Sequence, residues 1–248
     1  MLISKNAQYC WELLHFKVEN ELFIVPSTHF ASNPNPPFKD IFSLKLPPTH
    51  WTGAEGRSPI NPIVLEQISK VDFERFLSVL YPNSSLILYD SIDSASWLSV
   101  LKLSTTWHFI ALRKMAIRCL SNTKRKDFTA FDRLKAAQQY SIPEWFRSSI
   151  NQIVHQAVLE GISDKDAAIV GDRTARVLLN MKILYHQSRP RSHVLKKIEE
   201  MFHKSFGAQS RHIQARSKII EEMGKKDGVE DPDVRAFYEA FPSSSSEA

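Results

Sequence analysis

The chain of 248 residues has little of what disulfide scaffolds, phosphate loops and metal centres are made from. Cysteine occurs only at Cys10 and Cys119, 109 positions apart. Two thiols in so long a chain build no disulfide framework, so an intracellular location, cytoplasm or nucleus, is expected. The seven glycines include no phosphate cradle: Gly53-Ala-Glu-Gly56 lacks a following Lys-Ser/Thr and a strand-to-helix setting. There is no Gly-x-Ser-x-Gly elbow to present a nucleophile. The nine histidines contain no His-Glu-x-x-His pair, so no metal and no cofactor are expected. No apolar run approaches the ~20 residues that cross a bilayer. Lys5, Asn6, Gln8 and Glu12 interrupt the start, so neither a secretory signal nor a membrane partner is expected. No catalytic site is therefore expected.

With 43% hydrophobic and 24% charged residues, the chain has an ordinary globular composition. Its net charge of +5 is unevenly placed. Residues 191–226 carry nine Lys/Arg against four Asp/Glu, whereas 227–248 carry one Arg against six acids. The two segments cancel and attract each other, which makes nucleic acid the less favoured partner. The serine-rich end of the second segment has the composition of a disordered tail.

Leu14, Phe16 and Val18 alternate with His15 and Lys17, the pattern of a half-buried strand, and Leu22-Phe-Ile-Val25 is its hairpin partner. Pro26 is expected to end that second strand. The loop Asn33-Pro-Asn-Pro-Pro37 leads to a short helix with Phe38, Ile41 and Phe42 on one face. A long polar loop, 47–62, holds Trp51 and precedes a short strand, Ile63-Val-Leu65. Three amphipathic helices start near Val71, Ala95 and Phe109. The first is capped by Ser69 and buries Phe73, Phe76, Leu77 and Leu80. The second is capped by Ser94 and carries the stripe Trp97, Leu98, Leu101 and Thr105. The third buries Leu112, Met115, Ala116 and Cys119.

Beyond a polar joint at 121–127 everything reads as helical. Phe131, Leu134 and Ala137 share a face. Ser141-Ile-Pro-Glu144 has the form of a capping box with an early proline, and opens a helix burying Phe146, Ile150, Ile153 and Ala157. A turn over 163–169 leads to a helix carrying Val177, Leu178, Met181, Leu184 and Tyr185. Residues 193–223 form one long helix or two shorter ones, because Gly207 weakens the middle. Four of the five tryptophans, Trp11, Trp97, Trp107 and Trp145, are expected in the core. Trp51, alone in its polar loop, is a candidate partner-binding residue.

The order hairpin, short helix, strand and three helices resembles the BTB/POZ domains of basidiomycete fungi. The resemblance is carried by Phe16-Lys-Val-Glu-Asn-Glu-Leu-Phe-Ile-Val-Pro26, Pro37-Phe-Lys-Asp-Ile-Phe-Ser-Leu44, Asn61-Pro-Ile-Val-Leu65 and Asp72-Phe-Glu-Arg-Phe-Leu77. It continues through Trp97-Leu-Ser-Val-Leu-Lys-Leu-Ser-Thr-Thr-Trp107 and Arg113-Lys-Met-Ala-Ile-Arg-Cys-Leu-Ser-Asn122, with Tyr140-Ser-Ile-Pro-Glu-Trp-Phe146 similar to the family's helical extension. It implies an α+β BTB/POZ fold, a small sheet flanked by helices, over residues 8–122, with an all-α extension over 123–190. A basic segment, 191–226, and an acidic tail, 227–248, lie beyond it. It also implies a non-catalytic adaptor that binds protein partners, itself among them. The self-association surface would lie in Leu13 to Phe42, with Leu14, Phe16, Leu22, Phe38 and Phe42 as its apolar residues. The histidine and basic residue that many members carry after the second strand are replaced by Pro26-Ser27-Thr28. The hydrophobic-to-glutamate spacing of members that recruit a cullin-type ubiquitin ligase scaffold is missing from Trp51 to Glu55, which leaves cullin recruitment without support. A different class, a chromatin- or DNA-associated regulator, would use Lys196, Lys197, Lys204, Arg211 and Arg216 for phosphate contacts.

Overall fold

The structure, a computed structural model, describes residues 11–31, 33, 38, 55–82, 89–122, 125–156, 161–187 and 192–225. It is mixed α+β and mostly helical, with a small three-stranded sheet. Two compact units divide it, the first made of Met1–Ser121 with Met223–Ala248 and the second of Asn122–Glu222.

In the first unit, β1 (Leu13–Val18) pairs antiparallel with β2 (Glu21–Pro26). On its other side β1 pairs parallel with β3 (Ile63–Val64), giving the order β2-β1-β3. Pro26 closes β2 as its last residue, opposite Leu13, and α1 (Thr28–Ala31) follows at once. Three helices come next: α2 (Lys70–Leu80), α3 (Ser94–Thr106) and α4 (Ile110–Leu120). Ser69 caps α2 by accepting from the Asp72 backbone N–H at 3.1 Å. The cap of α3 is Asp93, whose carboxylate accepts from Ser96 N–H at 2.8 Å; Ser94 lies one residue inside and is buried. α3 buries Ser99, Val100 and Leu103 as well as Trp97 and Leu101, so more of its surface is covered than a single stripe provides.

The core of this unit is aromatic. Phe16, Phe30, Phe38, Phe73 and Phe76 are fully buried. Phe16 sits 4.9 Å from Phe30 and 5.4 Å from Phe73, ring to ring, and Phe76 lies 5.2 Å from Trp107 and 5.4 Å from Phe109. Most of these pairs meet edge to face, the arrangement ring quadrupoles favour.

In the second unit, Thr129 and Asp132 form a reciprocal capping box that opens α5 (Ala130–Tyr140). Ser141 does not cap the next helix. It takes the left-handed conformation that ends α5, at φ 57°, and Ile142 precedes α6 (Pro143–His155), with Pro143 in the first turn. Residues 164–170, read from sequence as a turn, form α7 (Asp164–Val170), capped by Ser163. α8 (Asp172–Gln187) buries Ala175, Leu178, Met181 and Lys182, while Val177, Leu184 and Tyr185 are only half-buried. α9 (Ser192–Lys225) is one continuous helix of 34 residues that runs through Gly207. A glycine costs only ~1 kcal/mol there, and Phe202 and Phe206 beside it are buried against Phe146 at 6.4 and 6.0 Å.

Candidate docking surface

A strand buried on one face sends alternate side chains to opposite sides. In β1 the inward set is Leu14, Phe16 and Val18, all fully buried. The register places Val25 and Phe23 beside Leu14 and Phe16, and Ile63 on the other side of Phe16. Leu14, Phe16 and Phe38 are therefore core residues of a single chain and cannot form the association surface that the resemblance placed there. Leu22 is the one described member of that set that faces solvent; Phe42 lies outside the described residues, as does Trp51.

The opposite side of the sheet carries further apolar side chains, about half exposed, around His15 and Lys17 of the central strand. Leu13 is 46% exposed, Leu22 45%, Ile24 51% and Val64 54%. Lys17 stands opposite both Leu22 and Val64, His15 opposite Ile24, and Leu13 opposite Pro26, so these side chains are neighbours on one face. Trp11, read from sequence as a core residue, is 64% exposed at the entrance to β1. Single exposed hydrophobes are normal, whereas a contiguous group is not.

The neighbouring loop is held by the backbone. His15 N–H donates to the Gly56 carbonyl at 2.9 Å, and Gly56 N–H donates to Asn61 at 2.7 Å. The His15 ring Nδ1 also lies 3.2 Å from the Gly56 oxygen. Gly56 has φ +77°, and a Cβ there would come within 2.6 Å of Ile63. Ion pairs lie close by: Arg57 with Glu12 at 2.5 Å and Lys70 with Glu21 at 2.5 Å. The hydrogen bond that Lys70 donates to the Glu21 carboxylate holds the pKa of its ammonium above the ordinary value. The Tyr81 hydroxyl donates to the Pro26 carbonyl, and burial pushes that phenol well above its usual range.

The most organised polar cluster of this unit joins α2 to α3. Ser99 Oγ donates to Asp72 at 2.6 Å and Lys102 Nζ donates to its other oxygen at 2.7 Å. Burial raises the Asp72 carboxyl, but the bonds from Lys102, Ser99 and Ser69 together outweigh it and hold the group below its ordinary value. Both donors serve the carboxylate, which makes the cluster a tie between helices. Among the described residues no group of three His, Cys, Asp or Glu could hold a metal ion, and no helix is long and apolar enough to cross a membrane.

The candidate phosphate contacts Lys196, Lys197, Lys204, Arg211 and Arg216 are all exposed on α9. They do not share one face. Lys197, Lys204 and Arg211 recur every seven residues, and Lys218, missed in the sequence reading, continues the series. Arg216 falls roughly 140° around the helix from Arg211.

No family model, curated protein or solved structure matches the chain.

Proposed function

We propose that this chain is a non-catalytic, self-associating adaptor of the BTB/POZ type, with a core over residues 8–122 and a helical extension over 123–190. The observation that carries the reading is the exposed apolar face of the sheet, Leu13, Leu22, Ile24 and Val64 with Trp11 beside them. The order of elements, with β3 parallel to the first strand of the hairpin and three helices after it, supports the family. Among the described residues β2 and β3 are the edges of the sheet. A second copy would cover the apolar face and could pair an edge.

Sedimentation over a range of micromolar concentrations tests this. The expected species has twice the 28.5 kDa chain mass. Because apolar burial drives the contact, about 0.5 M salt should change it little. Replacing Ile24 and Leu22 together by lysine should give a folded monomer. A wild-type chain that is monomeric throughout, or a dimer indifferent to this double substitution, would overturn the proposal.

A further inference from the structure

Between Met201 and Ile220 the chain holds Lys204, Arg211, Arg216 and Lys218, together with two histidines, and no Asp or Glu. The structure makes that stretch the middle of one continuous helix. One side of α9 is buried through Val194, Phe202, Phe206, Ile213 and Ile220. The opposite side carries Lys197, Lys204, Arg211 and Lys218. Seven residues advance a helix by ~10.5 Å and rotate the next side chain by only ~20°. The four cations therefore form a nearly straight row roughly 30 Å long.

The row is open. All four residues are exposed, and among the described residues Lys197, Lys204 and Arg211 pair with no acid. The acids at the ends of the acid-free stretch are partly engaged: Glu199 with Arg147 at 2.8 Å, and Glu222 with Lys218 at 3.8 Å. The Arg211 guanidinium comes within 3.5 Å of where a Cβ of Gly207 would stand, so it lies along the helix surface.

The chemistry of the face selects the partner. A helix that lies in a membrane surface needs apolar side chains on the side that enters the lipid, and here that side is packed inside the protein. A protein interface of any strength needs an aromatic or aliphatic anchor, and the row has none. Single-stranded nucleic acid needs rings on which to stack bases, and these too are missing from the face. What remains is a rigid, regularly spaced set of anions.

We propose that this face of α9 docks the phosphate backbone of double-stranded nucleic acid, without regard to sequence. Four cations in line position a duplex through its phosphates, and contacts of that kind carry no sequence information.

The test is fluorescence anisotropy of a labelled DNA duplex against the full chain, repeated at several salt concentrations. About four phosphate contacts should give a slope of log K on log salt near −3.6, equal for unrelated sequences. Lys204→Ala should reduce the slope by about one. Lys197→Glu, Lys204→Glu and Arg211→Glu combined should weaken binding by about tenfold or more at low salt. Arg216→Glu, which changes charge on the same helix but off the row, should leave the affinity nearly unaltered. Circular dichroism on each variant shows that the helix is intact. Equal losses from Arg216→Glu and Lys204→Glu would overturn the row as the docking surface. Failure to bind duplex at low salt, or tighter binding to a polyglutamate peptide or phosphatidylserine vesicles at matched salt, would overturn the nucleic-acid assignment.

Discussion

The two units of this chain bury similar side chains, yet they differ in what they leave outside. The first packs rings against rings: Phe30 lies 4.9 Å from Phe38, and Phe38 lies 5.4 Å from Trp107. The second packs rings too, Phe146 lying 6.4 Å from Phe202 and 6.0 Å from Phe206, among aliphatic side chains such as Leu134, Ile150, Ile153, Leu178 and Met181. A helix can put its single apolar stripe inside and turn charge outward, as α9 does through Phe202, Phe206, Ile213 and Ile220. A sheet of three short strands has two faces, and a single layer of helices covers only one of them. The first unit therefore shows solvent an apolar face, and the second a charged one. The lesson is that surface chemistry here follows from the kind of element, and that each surface points to its own class of partner.

The sharpest way to break the comparison is to make equal-sized holes in the two cores. Phe76 is fully buried between Trp107 and Phe109, so Phe76→Ala should cost ~3–5 kcal/mol in chemical denaturation. Leu178→Ala, at an equally buried aliphatic position, should cost ~2–5 kcal/mol. If the units melt separately, each substitution will move its own transition in a calorimetric scan and leave the other in place. A common shift for both would make the chain one cooperative unit.

A smaller effect is expected at Gly56, which joins the long loop to the sheet. An L side chain at φ +77° is strained, and its Cβ would collide with Ile63. Gly56→Ala should therefore cost ~1–3 kcal/mol. It should also raise amide exchange at His15, whose N–H donates to the Gly56 carbonyl. A stability within the noise of wild type would show that the loop yields freely and does not support the apolar face.

How far the sequence showed all this depends on whether neighbouring signals competed. The mixed α+β class was legible because period-two and period-3.6 patterns occupy separate stretches. The helix faces around Phe73, Phe131 and Phe146 were legible because one side of each is plainly polar. The faces of the sheet were not. β2 carries Leu22 and Ile24 on one side and Phe23 and Val25 on the other, and alternation cannot choose between two apolar sides. That ambiguity hid Ile24, whereas Leu14 and Phe16 were sent to the surface by the resemblance, against their own alternation with His15 and Lys17. Trp11 was misread for a related reason, since a ring at the start of a strand has no periodicity to place it. Ser141 matched a capping box one residue too early, because the tight turn that ends α5 uses the same residue. The row on α9 was hidden by Gly207: a helix broken there would have put Lys197 and Lys204 out of line with Arg211 and Lys218. Only the continuous helix gives the seven-residue spacing a direction in space.

The smallest expected effect concerns the polar tie within the aromatic unit. Asp72 joins α2 to α3 through Ser99 and Lys102, and its carboxyl is held below the ordinary value of 3.8. A group whose folded pKa is depressed contributes stability that is fully present above its unfolded value and is lost as the pH falls through its folded one. The tie should therefore be intact from neutrality down to about pH 5 and should fade below pH 4. Lys102 is partly open to water, so the contribution should be no more than about 1 kcal/mol. Asp72→Asn should accordingly lower stability slightly at pH 7 and flatten the acid limb of the first unit's stability curve. The same substitution should leave the second unit unmoved. An acid limb as steep in Asp72→Asn as in wild type would mean that rings alone hold α2 against α3, and that the carboxylate is dispensable in a unit already closed by its aromatic core.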